Sequence, residues 1–181
     1  MSKFELIDLK TFIKHQFIKN DFKRVDMLVR YYSIENYMDD ENYDFALYKK
    51  MRVMISFEEK KAIKLEFIIE KFKNLIKSFK KNGFDTSHPI LCRNRHPDWP
   101  YGIVDGAHRL SLAYFYKLES IPIKTLPRET PFQRSLPLSF SRKYNFKWFK
   151  DRGFNEKELS IINKKTEQMK KYIDFNNNEK I

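Results

Sequence analysis

Apolar residues recur at helical spacing most clearly at Leu65, Ile68, Ile69, Phe72, Leu75, Ile76 and Phe79. That stripe predicts an amphipathic helix over Phe57–Lys81. Ser56 and Glu59 have the spacing of a capping box at its start, and Asn82-Gly83 supplies the stop. Lys64, Lys71, Lys73, Lys77 and Lys80 flank the stripe. The simplest reading is a helix packed on a core, although a helix lying on a membrane surface also sets aromatics against lysines.

Shorter elements follow. Pro89–Arg93 reads as a buried strand, Asn94–Pro100 as a turn and Tyr101–Asp105 as a second strand. Gly106 breaks that strand, His108–Lys117 reads as a helix and Ile121–Lys124 as a third strand. Strand, turn, strand, helix and strand in so short a stretch imply a mixed α/β sheet. Upstream, Asp26–Glu35 is rich in β-branched and aromatic residues and reads as a strand, with a helix after it at Phe45–Met51. Prolines at 127, 131 and 137 predict an irregular wrap, and Glu156–Tyr172 a closing helix or helix pair. The expected organisation is an N-terminal helical extension over 1–24, a central α/β domain over 25–125, a C-terminal wrap with helices over 126–175 and a disordered tail over 176–181.

Composition changes this picture in two ways. A single cysteine, Cys92, excludes an intramolecular disulfide and a multi-cysteine zinc site. The first twenty residues carry charges throughout, and no apolar run approaches membrane-spanning length. A cytoplasmic protein is the expectation. Charge is the second change: 36 Lys+Arg against 24 Asp+Glu give +12. Residues 1–60 are balanced, so the excess falls on 61–181. A basic half suits a polyanion, whether nucleic acid, membrane surface or nucleotide, and it equally suits a solvated lysine-rich face. Basic residues interleave with aromatics over Lys143–Lys150, which suits stacking on single-stranded DNA or RNA and equally a packed terminal helix.

The candidate chemistry concentrates at Ile103-Val104-Asp105-Gly106-Ala107-His108-Arg109-Leu110. A strand ends, a glycine permits a sharp turn and a helix begins. The first N–H groups of that helix have no partner within it and favour an anion. Arg109 can grip two phosphate oxygens with its planar fork, or pair with an acid such as Asp105. Asp105 can hold Mg²⁺ or orient a hydroxyl. Of the other histidines, His15 reads as structural, His88 stands extended before Pro89 at a strand entrance, and His96 lies in the proline turn beside Asp98. The chain has no P-loop signature, no Gly-x-Ser-x-Gly elbow and no paired-histidine metal motif.

Residues 105–113, Asp-Gly-Ala-His-Arg-Leu-Ser-Leu-Ala, preceded by Pro89-Ile90-Leu91 and followed by Ile121-Pro122-Ile123, resemble the core motif of the ParB/sulfiredoxin-like superfamily. The resemblance covers roughly 25–125 and implies that superfamily's mixed sheet with a long helix before the motif. Sulfiredoxins need a catalytic cysteine where this chain has Ala107. The chromosome-partitioning members carry an arginine-rich box and a helix-turn-helix that are not present here. The chain is most similar in kind to the ParB-like free-serine kinases.

That resemblance implies a nucleotide-dependent phosphotransferase acting on a small hydroxylated metabolite, such as serine or a surface-polysaccharide intermediate. ATP or another nucleotide and Mg²⁺ are the implied cofactors. Gly106, Ala107, His108 and Arg109 would hold phosphates, Asp105 the metal, and Asp105 and His108 would join the chemistry. Glu35 is the acid where the kinases keep their base, and its alternative is a surface carboxylate. Arg30 and His88 are the substrate-binding candidates, with Arg30 alternatively paired to an Asp. The competing reading is a ParB-like module that binds nucleotide or DNA without catalysis.

Overall fold

The computed structural model describes residues 4–59, 62–93, 100–127 and 144–174. The order of elements is β1 (Glu5–Asp8), α1 (Leu9–Lys14), β2 (Phe17–Ile18), β3 (Asp21–Phe22), α2 (Val25–Asp39), α3 (Ala46–Glu59), α4 (Leu65–Asn82), β4 (Ile90–Arg93), β5 (Gly102–Asp105), α5 (Ala107–Phe115), β6 (Ser120–Thr125), α6 (Phe146–Asp151) and α7 (Glu156–Tyr172).

Four strands form one mixed sheet in the order β1-β6-β4-β5. β4 runs parallel to β6, with Ile90 opposite Ile123, and antiparallel to β5. β1 closes the far edge against β6, antiparallel, with Glu5 opposite Ile123. Ile90, Cys92, Ile121 and Ile123 are fully buried, so the two central strands carry the core of the sheet. β2 and β3 make a separate small hairpin. The mixed α/β class expected from the strand–turn–strand–helix–strand alternation is the class observed, and the strands at β4, β5 and β6 fall where the apolar runs placed them.

Three regions depart from the sequence reading. Residues 26–35, expected as a strand, lie within α2. Val25, Met27, Leu28, Val29, Arg30, Ser33, Ile34 and Tyr37 are all buried there, because α3, α5 and α7 enclose the helix. A helix covered on most sides keeps no polar stripe, so its period is lost and its β-branched residues dominate the impression. Second, the long helix begins at Leu65 and not at Phe57. Ser56 and Glu59 sit in the last turn of α3, so they do not cap α4. The stop is as expected: Gly83, at φ +72°, donates its N–H to the Phe79 carbonyl at 2.8 Å. Third, the N-terminal segment is helical only over Leu9–Lys14, and it supplies a strand of the main sheet. Asp8 caps α1 by accepting from the Thr11 N–H at 2.7 Å, a bond that holds its carboxyl below the ordinary value.

The C-terminal helices close over α2 and α3. Val25 N–H donates to the Tyr144 carbonyl at 2.9 Å. Glu58 of α3 accepts from Trp148 Nε1 at 3.1 Å and from Arg152 at 2.9 Å. α7 opens with a full capping box between Asn155 and Glu158. Most of the expected wrap, 128–143, and the tail, 175–181, lie outside the described residues, as does His96.

Candidate functional site

The corner where β5 ends and α5 begins is shaped by one glycine. Gly106 has φ +105°, a left-handed conformation that side chains resist. A Cβ there would come within 3.1 Å of Ile90 Cα and Cγ1. The β4–β5 ladder shifts register between Leu91 and Cys92, so Leu91 faces Asp105 while Cys92 faces Ile103. The irregularity turns the strand end toward the helix. No side chain caps α5, whose first intrahelical bond runs from Leu110 N–H to the Gly106 carbonyl. The preceding N–H groups, on Ala107, His108 and Arg109, therefore lack helix partners.

Arg109 is held by the protein itself. Its Nη1 donates to the carbonyls of His88 and Pro89, the latter at 2.9 Å, and its Nη2 donates to Asp105 Oδ2 at 2.8 Å. The Asp105 side chain is 67% exposed. Of the two arrangements open to Arg109 on sequence, the pairing with Asp105 is the one present. His88 joins this corner only through its backbone. Its exposed imidazole turns to Asp85, 2.7 Å from Nδ1, and to Ser87 Oγ. Ser87 donates to Asp85 Oδ1 from Oγ at 2.6 Å and from its N–H at 2.9 Å, and these bonds with that of His88 hold the Asp85 carboxyl at about 2.

Behind the corner the charge is internal. Asp26, fully buried, accepts from Arg24 Nε at 2.8 Å and Nη2 at 2.7 Å, and from Arg30 Nη1 at 2.7 Å. Burial alone would raise the Asp26 carboxyl, but the two guanidiniums outweigh burial and hold it below its ordinary value. Arg24 also donates to the Ile103 carbonyl of β5, and Arg30 to the Asp26 carbonyl. His108, partly buried, places Nε2 2.7 Å from the hydroxyl of the fully buried Tyr48. Its ring also meets Phe72 edge-on at 4.8 Å. Burial pushes the His108 imidazole well below its ordinary value, and Arg30, Arg52, Arg109 and Arg24 push it further. It is neutral at neutral pH.

Glu35 is elsewhere. It lies in the middle of α2, where its carboxylate meets Lys165 of α7 at 2.5 Å. Tyr31 and Tyr114 are the phenols beside it, with Lys117 nearby. The expected strand-end position for this acid does not exist, because the strand is a helix. Asp105, Gly106, Ala107, His108 and Arg109 come together, Arg30 joins them from α2, and Glu35 does not. Three of the four aromatics of the basic C-terminal stretch turn inward: Phe149 is fully buried, Trp148 is 9% exposed, and Tyr144 packs edge-on against Trp148, while Phe146 is 37% exposed. Those three rings are committed to packing.

Four residues of the cluster escaped the sequence reading: Arg24, Asp26, Tyr48 and Arg52. Their signal is a spacing of four, Asp26 to Arg30 and Tyr48 to Arg52, which on a helix stacks each pair one turn apart. Among the described residues no group of three or more His, Cys, Asp or Glu is arranged to hold a metal, and no helix is long and apolar enough to cross a membrane. Comparison with protein-family models, with curated proteins and with solved structures finds no match.

Proposed function

We propose that the protein is a nucleotide-dependent phosphotransferase of the ParB/sulfiredoxin-like kind, acting on a small hydroxylated metabolite. One observation carries the reading: four arginines crowd a neutral histidine at the uncapped start of α5, with Asp26 the acid buried among them. Phosphoryl transfer asks a protein mainly for positioning and for cationic groups around the phosphates. A nucleoside triphosphate with Mg²⁺ would supply the transferable group and offset its charge.

The chain's own residues divide the work. The N–H groups of Ala107, His108 and Arg109 face the phosphates at the helix start. Asp105 would be the residue to hold Mg²⁺. Arg109 fixes the corner through its bonds to 88, 89 and 105 and adds charge without leaving them. His108 accepts the acceptor hydroxyl's proton. Its basicity is low while the arginines stand unopposed and rises as phosphates offset them.

The test is a thermal-shift series with ATP, ADP and CTP, with and without Mg²⁺, followed by ³¹P NMR of the best nucleotide with hydroxylated metabolites. Stabilisation by a nucleotide and a new phosphomonoester signal are expected. Failure of every nucleotide to raise the melting temperature would overturn the reading.

A further inference from the structure

Beneath the α5 corner lie two guanidinium N–H donors that nothing among the described residues satisfies. The Arg30 side chain is 5% exposed, yet its Nε has no hydrogen-bond partner, and among the described residues its bonds run from Nη1 to Asp26. Arg52 has an enclosed Nε without a partner, and no acid among the described residues pairs with it. The two guanidiniums are close enough for Arg52 to disfavour the charge on Arg30. Tyr48 stands between them and the histidine: the Arg30 Cζ is 6.0 Å from its ring centre, and its hydroxyl meets His108. Three helices therefore converge here, α2 with Arg30, α3 with Tyr48 and Arg52, and α5 with His108.

An enclosed guanidinium with orphan N–H groups is costly, and a second cation beside it raises that cost. Protein interiors accept such an arrangement where a counter-charge arrives from outside the chain. The unmatched donors suit an oxyanion: two guanidiniums and the Tyr48 phenol can donate to it, while the His108 imidazole stays bonded to that phenol. A neutral polyol would leave both guanidiniums unmatched.

We infer that Arg30, Arg52 and Tyr48, with His108 bonded behind the phenol, form an oxyanion site that holds the carboxylate or phosphate of the acceptor, so that the hydroxylated substrate is an acid. Its assignment to the acceptor rests on the phosphotransferase reading, while the binding of an oxyanion does not. The two sites adjoin at His108, whose N–H belongs to the helix start that would take the nucleotide and whose side chain belongs here. Arg52 is the residue to vary, because it supports no acid whose partner would be lost.

Inorganic phosphate, glycerate and glycerol are titrated calorimetrically into the full chain, with and without a saturating non-hydrolysable ATP analogue and Mg²⁺. Phosphate and glycerate are expected to bind and glycerol not, with the analogue present or absent. Arg52→Gln should weaken the two anions about tenfold to a hundredfold. It should melt no lower than the wild type, because it removes a cation facing Arg30. Arg52→Lys should recover part of the affinity. Wild-type affinity in Arg52→Gln, a lowered melting temperature of that variant without ligand, or equal binding of glycerol would each overturn the site. Displacement of phosphate by the nucleotide analogue would overturn its assignment to the acceptor. Arg52-dependent anion binding in a protein that takes no nucleotide would keep the site and remove the phosphotransferase reading.

Discussion

α2 carries two ionic clusters along its length, and they are resolved in opposite ways. Near its start, Arg24, Asp26 and Arg30 are buried together with Arg52 and His108 close by, and positive charge is left over. About a turn and a half further on, Glu35 and Lys165 pair at 2.5 Å, and Lys117 lies among rings, 3.3 Å from the centre of Tyr114, 4.4 Å from Tyr172 and 5.5 Å from Tyr31. There the charges are matched or cushioned by π-faces. Burial brings the Lys117 ammonium down to about 8, although Glu35 pulls the other way. The second cluster even accepts strain to keep its lysine. Lys117 has φ +52°, and the bonds Leu118 N–H to Ala113 and Lys117 N–H to Tyr114 form a Schellman close to α5, where glycine is the usual residue. One end of the helix is complete without a ligand, and the other is not. That contrast separates scaffold from site more cleanly than residue type does, since both ends contain acids, cations and tyrosines.

The hardest way to break the contrast is to remove its shared acid. Asp26→Ala leaves Arg24 and Arg30 buried and unopposed, and should cost about 3–5 kcal/mol. Denaturant unfolding measures it, and a loss below 1 kcal/mol would show that the arginines find other partners. A gentler probe is acid. His108 is neutral when folded and, once unfolded, titrates near the ordinary histidine value of 6.5, so the unfolded chain binds the extra proton below that pH. Stability should therefore fall as pH drops from 6.5 toward 5, by at most about 1.4 kcal/mol per unit from this group. His15, also lowered by burial, adds in the same direction. Asp26 and Asp8 act only at lower pH, near and below 3.8. His108→Gln should flatten most of the slope in a series of melting curves, and an unchanged slope would mean that the imidazole is already solvated. The smallest effect is expected at the closed end. Glu35→Gln removes a partly exposed pair and should cost about 0.5–1 kcal/mol while leaving phosphate affinity unaltered. Loss of turnover or of anion binding in that variant would dissolve the distinction between the two clusters.

Sequence reasoning reached the corner and missed what lies behind it, for a definite physical reason. Asp105, Gly106 and Arg109 are local: a strand, a left-handed residue and a helix start follow one another, and neighbours in sequence are neighbours in space. The sheet was legible for the same reason, since Ile90, Cys92, Ile121 and Ile123 sit in short apolar runs bounded by turns. The charged interior depends on α2, whose burial on most sides erased its period, and on α3, whose contribution is two residues with ordinary surface identities. Reading 26–35 as a strand also moved Glu35 to a strand end and gave it a role that its place in mid-helix, against Lys165, does not share. Arg109 shows the limit from the other direction. Its position was evident, but whether its fork faced a ligand or Asp105 turned on a distance of 2.8 Å that only the folded chain defines.

The pairing of β1 with β6 has a consequence for how the molecule forms. β4, β5 and α5 join residues within some twenty-five positions of one another, through the strand ladder and the Arg109 bonds to 88, 89 and 105. Such short-range closures are fast. Glu5 opposite Ile123 is a closure across most of the chain, and its loop entropy must be met before any contact rewards it. During synthesis β1 leaves the ribosome first and has to wait for β6, with Leu6 64% exposed even in the finished fold. The α5 corner can therefore condense while the first strand is still searching for its partner.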